Sequence, residues 1–218
     1  MSNSISYSQG EKSTDLSSTA QPGLTIDLTT LPAWGIMKDP GSYIGKHGVS
    51  KLSAIPLRVE PSDSAEQDAQ LVFGDVFTII EVSESGGNIK VKRAFDGVEG
   101  WIDTHVYAGC EIDRDEFNFL KNENNHGLIA SRILKAESLE GEPITISIGG
   151  VLPHYDPTKA TFQISGETLR VIDGRVFSAP APRTINNLMS IVNEFAGVPY
   201  LWGAIRVMVL IAQALLRQ

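Results

Sequence analysis

A succession of short strand-forming segments, separated by tight turns, constrains the fold of this chain more than any other feature. The strongest segment is Val76–Val82, which is rich in β-branched and aromatic side chains. Ser85-Gly86-Gly87-Asn88 follows it as a hairpin signal, and apolar side chains then alternate with lysines over residues 89–92. Five such segments lie between residues 54 and 102. Short strands joined by tight turns favour a small closed barrel over an open sheet.

A second block of similar texture follows a charged stretch at residues 113–125. Its clearest predicted strands are residues 144–148, 160–164 and 168–172, with turns at Ser165-Gly166 and Asp173-Gly174. A small β-domain buries little apolar surface by itself, so we expect the first block to pack against a neighbour.

The periodicity changes from strand to helix after the second block. One apolar stripe predicts an amphipathic helix and consists of Ile185, Leu188, Met189, Val192 and Phe195. Thr184 can cap the N-terminus of this helix, and Gly197 with Pro199 would end it.

The composition excludes several classes of protein. The chain has 218 residues with 18 Lys and Arg against 26 Asp and Glu, a net charge of −8, which argues against a nucleic-acid partner. A single cysteine excludes a disulfide scaffold and a cysteine-based zinc site, and we predict no metal or cofactor.

Residues 1–20 lack an apolar run, and no apolar stretch is long enough to cross a bilayer. We therefore expect no membrane association and a cytoplasmic protein as written, or a periplasmic or cell-envelope protein if the true start lies upstream.

Three sequence segments of the first block resemble a bacterial SH3-like domain. They are Leu57-Arg58-Val59-Glu60-Pro61-Ser62, Phe73-Gly74-Asp75 and Gly100-Trp101-Ile102. A more specific sequence segment is similar to the N-terminal part of the catalytic domain of the NlpC-type, papain-like cysteine peptidases. It reads Phe195-Ala196-Gly197-Val198-Pro199-Tyr200-Leu201-Trp202-Gly203. That family cuts peptidoglycan stem peptides at the γ-D-glutamyl-diamino acid bond, and some of its members carry two SH3-like domains ahead of the catalytic domain.

The resemblance implies a mainly β fold, with two small SH3-like barrels followed by a C-terminal helical stump of a papain-like α+β domain. The expected segments are a partly disordered lead-in at 1–45, a first SH3-like domain at 46–112, a linker at 113–125, a second SH3-like domain at 126–182, the first helix of a truncated catalytic domain at 183–203 and a tail at 204–218.

The resemblance ends at Gly203, since residues 204–218 hold neither the family's Asp-Cys-Ser-Gly nor a histidine. When the codons of this tail are read one nucleotide out of phase, and their wobble bases are chosen freely, they can encode Gly-Asp-Ser-Gly-Tyr-Gly-Phe-Asp-Cys-Ser-Gly-Phe-Ile-Ala. Loss of one G from the run that encodes Trp-Gly-Gly is one explanation. A genuine C-terminal helix with a coincidental match is the other. In both cases the nucleophile and the base are missing from this sequence, and we expect it to be catalytically inactive.

Only substrate-binding residues can be carried over from the family. By resemblance, an acid near Asp75 and the loop 96–100 before Trp101 would read the free N-terminus of the stem peptide, and Val98 stands where some relatives have an aromatic residue. Tyr200 and Trp202 would line the active-site cleft of a complete family member. The expected partners are therefore peptidoglycan stem peptides. The alternative is a peptide-binding or protein-interaction module in its own right.

Other reactive side chains are interpreted more simply. Cys110 lies beside acidic residues that would raise its pKa, so we expect a small buried side chain and not a nucleophile. The four scattered histidines, His47, His105, His126 and His154, are expected to be surface or hydrogen-bonded core residues.

Eleven of the fifteen residues of the tail at 204–218 are apolar. We therefore expect the tail to form a helix that packs on the helix before it and on a second copy of the chain, so that the protein is a homodimer.

Overall fold

The computed structural model describes residues 40–107, 109–122, 126–178 and 184–194, and strands dominate this part of the chain. The mainly β fold class is confirmed. The helical elements are a 3-10 turn at Pro40–Tyr43, α1 (Thr104–Tyr107), α2 (Arg114–Leu120) and α3 (Ile185–Glu194). The strands are β1 (His47–Val49), β2 (Ala54–Arg58), β3 (Gln67–Val72), β4 (Val76–Val82), β5 (Asn88–Arg93), β6 (Glu99–Asp103), β7 (Glu111–Ile112), β8 (His126–Ile129), β9 (Ile133–Ser138), β10 (Pro143–Ser147), β11 (Val151–Pro153), β12 (Thr161–Ile164), β13 (Glu167–Asp173) and β14 (Val176–Ser178).

Strands β1 to β7 form one antiparallel sheet, called here the first barrel, with the strand order β3-β2-β6-β5-β4-β1-β7. The alternation predicted in β5 is observed, because Ile89 and Val91 are fully buried between lysines. Pairing of Arg58 with Trp101 joins β2 to β6. Gly100 allows this approach, since a Cβ atom there would lie 2.7 Å from Leu57 Cβ.

Strands β8 to β14 form the second barrel from two antiparallel sheets, β10-β9-β13-β12 and β11-β8-β14. The predicted strand at 160–164 begins one residue later, at Thr161, because Ala160 has a left-handed backbone with φ of 54°. Four strands of this second barrel were not predicted, namely β8, β9, β11 and β14. Three of them have only three or four residues, which is too short for alternation to be recognised.

The segment predicted only as a linker contains helix α2, which contacts both barrels. Asp113 caps it, since its Oδ1 atom accepts a hydrogen bond from Glu116 N at 2.8 Å. The Phe117 ring stacks on His47 of the first barrel at 3.9 Å between centroids. The neighbouring Phe119 ring stacks on the imidazole of His154 in the second barrel at 4.4 Å.

The two barrels share a hydrophobic cluster, called here the shared core, and the first barrel has a second core of its own. The shared cluster takes side chains from the first barrel, from α2 and from the second barrel; they include Val49, Phe73, Val76, Leu120, Ile129, Leu134, Ile146, Leu152, Phe162 and Leu169. At its centre the rings of Phe73 and Phe162 meet edge to face, 5.9 Å apart. Each small barrel therefore buries apolar surface against the other, as expected for domains of this size.

The backbones of the two barrels meet at Gly74, in the turn between β3 and β4. The amide of Val151 donates a hydrogen bond of 2.8 Å to the carbonyl oxygen of Phe73. Gly74 has φ of 82°, and a Cβ atom there would lie 2.1 Å from Val151 O. Both the backbone angle and the contact therefore require glycine.

Helix α3 buries only part of the predicted stripe. Thr184 caps it as predicted, because its Oγ1 accepts a hydrogen bond from Asn187 N at 3.2 Å. Ile185 and Met189 of the stripe are 68% and 47% exposed, and Val192 is half-buried. Ile191, which lies outside the predicted stripe, is 5% exposed.

Glu194 at the end of α3 is held by two arginines of the second barrel. The Glu194 carbonyl oxygen accepts hydrogen bonds from Arg132 Nε at 2.8 Å and Nη2 at 2.5 Å, and Arg175 Nη2 lies 3.4 Å from its carboxylate. These polar contacts attach the end of the helix to the second barrel. The predicted end of the helix at Gly197 and Pro199, and the tail at 204–218, lie outside the described residues. No helix of the described ranges is long and apolar enough to span a membrane.

We predict that Gly74→Ala separates the barrels and destabilises the fold by about 3 kcal/mol or more, because it adds left-handed strain to a steric overlap. Gly141→Ala is the matched control, since Gly141 has φ of 88° but no atom within 4 Å of the added Cβ. Urea unfolding measures both free energies of unfolding. Equal losses in the two variants would show that the contact with Val151 contributes nothing.

Candidate functional site

The structure describes the loop between β5 and β6, which contains the predicted substrate-binding residue Val98. Its base is closed by two backbone hydrogen bonds, from Arg93 N to Val98 O at 2.9 Å and from Gly97 N to Arg93 O at 3.0 Å. Gly97 has φ of 75°, a conformation that glycine adopts without strain. Within the loop, Asp96 Oδ1 accepts a hydrogen bond from Val98 N at 3.2 Å. The residues between β5 and β6 therefore have a defined turn conformation.

A buried arginine ties this loop to the rest of the first barrel. The Arg93 side chain is 3% exposed, and its Nε and Nη2 atoms donate to the two carboxylate oxygens of Asp96 at 2.9 and 2.6 Å. Its Nη1 atom donates to Gln70 O at 2.5 Å and lies 3.6 Å from Asp75 Oδ2. Such a bidentate contact matches the planar fork of guanidinium to a carboxylate.

The ionisation of this cluster follows from its partners. Burial alone would lower the pKa of Arg93, but hydrogen bonds and charge from Asp96 and Asp75 outweigh it and raise that pKa. Burial likewise acts to raise the pKa of Asp96, and the hydrogen bonds from Arg93 reverse this, so the pKa of Asp96 lies below its ordinary value. Asp96 is therefore an ionised partner of a permanently charged arginine at neutral pH.

The structure places Asp75 inside the protein. Its side chain is 1% exposed, and Oδ2 accepts a hydrogen bond from Val72 N at 2.9 Å in addition to facing Arg93. Trp101 is buried at the β2–β6 pairing, and Val98 is half-buried against the core of the first barrel. Of the five predicted substrate-binding residues, Tyr200 and Trp202 lie outside the described ranges.

Two concavities border the junction of the barrels, and sequence reasoning missed both. A small one of about 30 Å³ lies beside the loop, between Ala94 and Phe95 on one side and Lys121, His126 and Val151 on the other. A larger one of about 410 Å³ is lined by Glu111, Ile112, Asp113, Glu116, His154, Gln163, Ile164, Ser165 and Gly166. Their walls come from segments far apart in sequence, so no local motif could indicate them.

The carboxylates of the larger concavity already have partners. Glu111 forms an ion pair with Lys46 at 3.0 Å, and Glu116 contacts His154 at 2.9 Å. Asp113 accepts the capping hydrogen bond of α2. These contacts explain the acidic lining by the packing of the junction.

Cys110 is a buried structural residue, as predicted. Its thiol donates a hydrogen bond to Val106 O at 3.2 Å. Burial raises the pKa of the Cys110 thiol, and the charge of Lys51 opposes this effect. The cause of the raised pKa is therefore burial and not the acidic neighbours that the sequence suggested. A thiol in this environment stays protonated at neutral pH.

The histidines are also hydrogen-bonded, as predicted. Their partners are Thr78 Oγ1 for His47, Asp103 for His105, the Leu120 carbonyl oxygen for His126 and Glu116 for His154. Each ring thus has a packing or capping contact that accounts for its position.

Comparison with known families identifies the first barrel. Residues 57–105, from β2 into α1, match the family described as the bacterial dipeptidyl-peptidase Sh3 domain. The chain carries a bacterial SH3 domain. The loop at 94–98 and its anchor Arg93 both belong to this SH3 domain. No curated protein sequence matches the chain significantly.

Solved structures extend the likeness beyond the SH3 domain. An NlpC/P60 family protein from Bacillus cereus ATCC 10987 has a TM-score of 0.55 at 16% identity, over 72% of this chain and 66% of that one. An NlpC/P60 endopeptidase from Photobacterium damselae subsp. piscicida has a TM-score of 0.56 at 17% identity, over 76% of this chain and 40% of that one. The chain thus spans about two thirds of the first protein and less than half of the second, and it shares their fold.

The lowered pKa of Asp96 generates a prediction on acid stability. A carboxyl group with a depressed pKa in the folded state stabilises the fold above its unfolded pKa, and this contribution disappears as the pH falls through the folded value. At pH 6 we expect Asp96→Asn to cost about 1.5–3 kcal/mol, the range for hydrogen bonds to a charged group. The difference between parent and variant should shrink as the pH falls below the ordinary aspartate pKa of about 3.9, as urea unfolding at each pH would show. A difference that does not change with pH would contradict the proposed ionisation of Asp96.

Proposed function

We propose that the described part of this chain is the ligand-recognition unit of a relative of the NlpC-type cell-wall peptidases, and that its ligands are peptidoglycan stem peptides. The observation that carries the proposal is the extent of the structural match. The first barrel, residues 47–112, is under a third of the chain, so matches over 72% and 76% of the chain must extend beyond it. The likeness to NlpC/P60 proteins is therefore not confined to the SH3 domain, which supports a recognition unit that includes the neighbouring barrel.

The loop at 94–98 is the feature of the SH3 domain that best suits peptide recognition. It is held in one conformation by Arg93 and Asp96, and an ordered loop binds a peptide with a smaller entropic cost. Asp75 would support recognition from within, since its carboxylate is buried beside Arg93. Val98 and the exposed edge of Asp96 would then be the contact points. Of the two features that the resemblance implies for binding the amine, an acid near Asp75 and the loop 96–100, our proposal keeps the loop as the contact surface.

Catalysis by the single cysteine does not fit this environment. Cysteine peptidases attack with a thiolate, and the Cys110 thiol is buried, bonded to a backbone oxygen and raised in pKa. In our proposal residues 40–194 bind peptide and perform no hydrolysis themselves.

The proposal extends to the reading frame of residues 204–218, which lie outside the described residues. We expect genomic sequencing across codons 202–218 to place Asp-Cys-Ser-Gly in the shifted frame, with a histidine-bearing remainder of a papain-like domain after it. A downstream frame without that remainder would favour the genuine C-terminal helix.

Calorimetric titration with L-Ala-γ-D-Glu-diaminopimelate peptides tests recognition. We expect weak, saturable binding with a dissociation constant of about 0.1–1 mM, corresponding to roughly 4–5.5 kcal/mol. The same peptide with an acetylated N-terminus is the matched ligand control and should bind more weakly if the free amine is read. Absence of heat at millimolar peptide would overturn the proposal and leave an interaction module as the alternative.

The same preparation tests for hydrolysis. We expect no cleavage of these peptides by the purified chain, and no difference between the parent and Cys110→Ala, as followed by chromatography of the products. Turnover that is lost in Cys110→Ala would contradict the structural role of this cysteine.

A further inference from the structure

Arg93 connects three separate parts of the SH3 domain. Its guanidinium binds the loop through Asp96, the edge strand β3 through the Gln70 carbonyl oxygen, and the β3–β4 turn through Asp75. That turn contains Gly74, whose backbone touches Val151 of the second barrel. A single buried side chain therefore links the loop to the junction between the barrels.

The loop also touches the junction directly. Phe95 and Ala94 line the small concavity on the side opposite His126 and Lys121. The backbone amide of Ala94 donates a hydrogen bond of 2.9 Å to Val76 O, at the start of β4. The position of the loop is thus set at its base by backbone contacts and at its tip by the Arg93–Asp96 pair.

The chemistry of the pair requires these residue types. A buried guanidinium needs both charge compensation and several acceptors, and here two carboxylates and one carbonyl oxygen supply them. Lysine would keep the charge but lose the parallel hydrogen bonds to Asp96. Asparagine at position 96 would keep an acceptor for Val98 N but lose the negative charge.

We propose that Arg93 is a positioning residue, which orders the 94–98 loop for ligand recognition by holding Asp96 against the β3–β4 turn at the barrel junction. Its bearing on ligand binding rests on the proposed function, whereas its ordering of the loop does not. A loop that is ordered before binding loses less conformational entropy when the peptide binds. Weakening the pair at Arg93, which is buried, therefore reduces affinity without removing any atom that touches the peptide.

Amide hydrogen exchange on the full chain tests the ordering of the loop. In Asp96→Asn and in Arg93→Lys, the amides of Gly97 and Val98 are expected to exchange at least about tenfold faster than in the parent, while Ile79 in β4 keeps its protection. The matched controls are Asp156→Asn, which removes an exposed carboxylate paired with Lys159, and Arg170→Lys, at a surface pair with Glu137. Both controls should leave the loop amides unchanged.

Three results of this experiment would overturn the inference. They are loop amides that already exchange at random-coil rates in the parent, loop amides that do not respond to either variant, and protection lost throughout the first barrel. The last would assign the pair to global stability. Asp96→Asn is the safer variant, since Arg93 keeps Asp75 and Gln70 as partners.

Peptide titration of the same variants separates this inference from the proposed function. If the parent binds, Arg93→Lys should bind about tenfold more weakly at a temperature where it remains folded, and Arg170→Lys should match the parent. Arg93→Lys decides the role in recognition, because Asp96 is itself a proposed contact point. Unchanged affinity with faster loop exchange would refute the role in recognition. If the parent does not bind, the proposed function fails, and the exchange data alone decide whether Arg93 orders the loop.

Discussion

The contact between Gly74 and Val151 brings the backbones of the two barrels together, and the shared core depends on it. The hydrogen bond from Val151 N to Phe73 O brings the Phe73 ring into the shared core, where it meets Phe162. With any larger residue at Gly74 the turn would be pushed away from Val151 O. The shared core would then lose packing with the side chains of the first barrel, and a small domain such as the second barrel depends on such burial.

The candidate recognition loop depends on the same turn. Asp75 follows Gly74 directly, and its buried carboxylate faces Arg93, which in turn binds Asp96 in the loop. A buried charge is costly unless every partner is in place, so a change at the turn is transmitted to the loop through these side chains. Barrel packing and ligand recognition are therefore coupled in our account by a short chain of polar contacts, and α2 reinforces the same junction through its stacked rings.

The sequence predicted what is encoded locally. Alternation and turn residues located β4, β5 and the hairpin between them, and Thr184 was correctly identified as a cap. The sequence could not predict the burial of side chains whose partners are distant along the chain. Asp75 was predicted to bind substrate, but its carboxylate is buried beside Arg93, eighteen positions away. The exposure of Ile185 and Met189 on α3 was missed for the same reason, because the contacts of Arg132 and Arg175 with Glu194 join segments that are distant in sequence.

Scanning calorimetry of the full chain tests the central claim, that the two barrels form one cooperative unit around a shared core. The account predicts a single unfolding transition for the barrels, with equal calorimetric and van't Hoff enthalpies. It also predicts that Trp101, buried in the first barrel, and far-ultraviolet circular dichroism, which reports both barrels, change together. Two separable transitions, or a calorimetric enthalpy near twice the van't Hoff value, would contradict it.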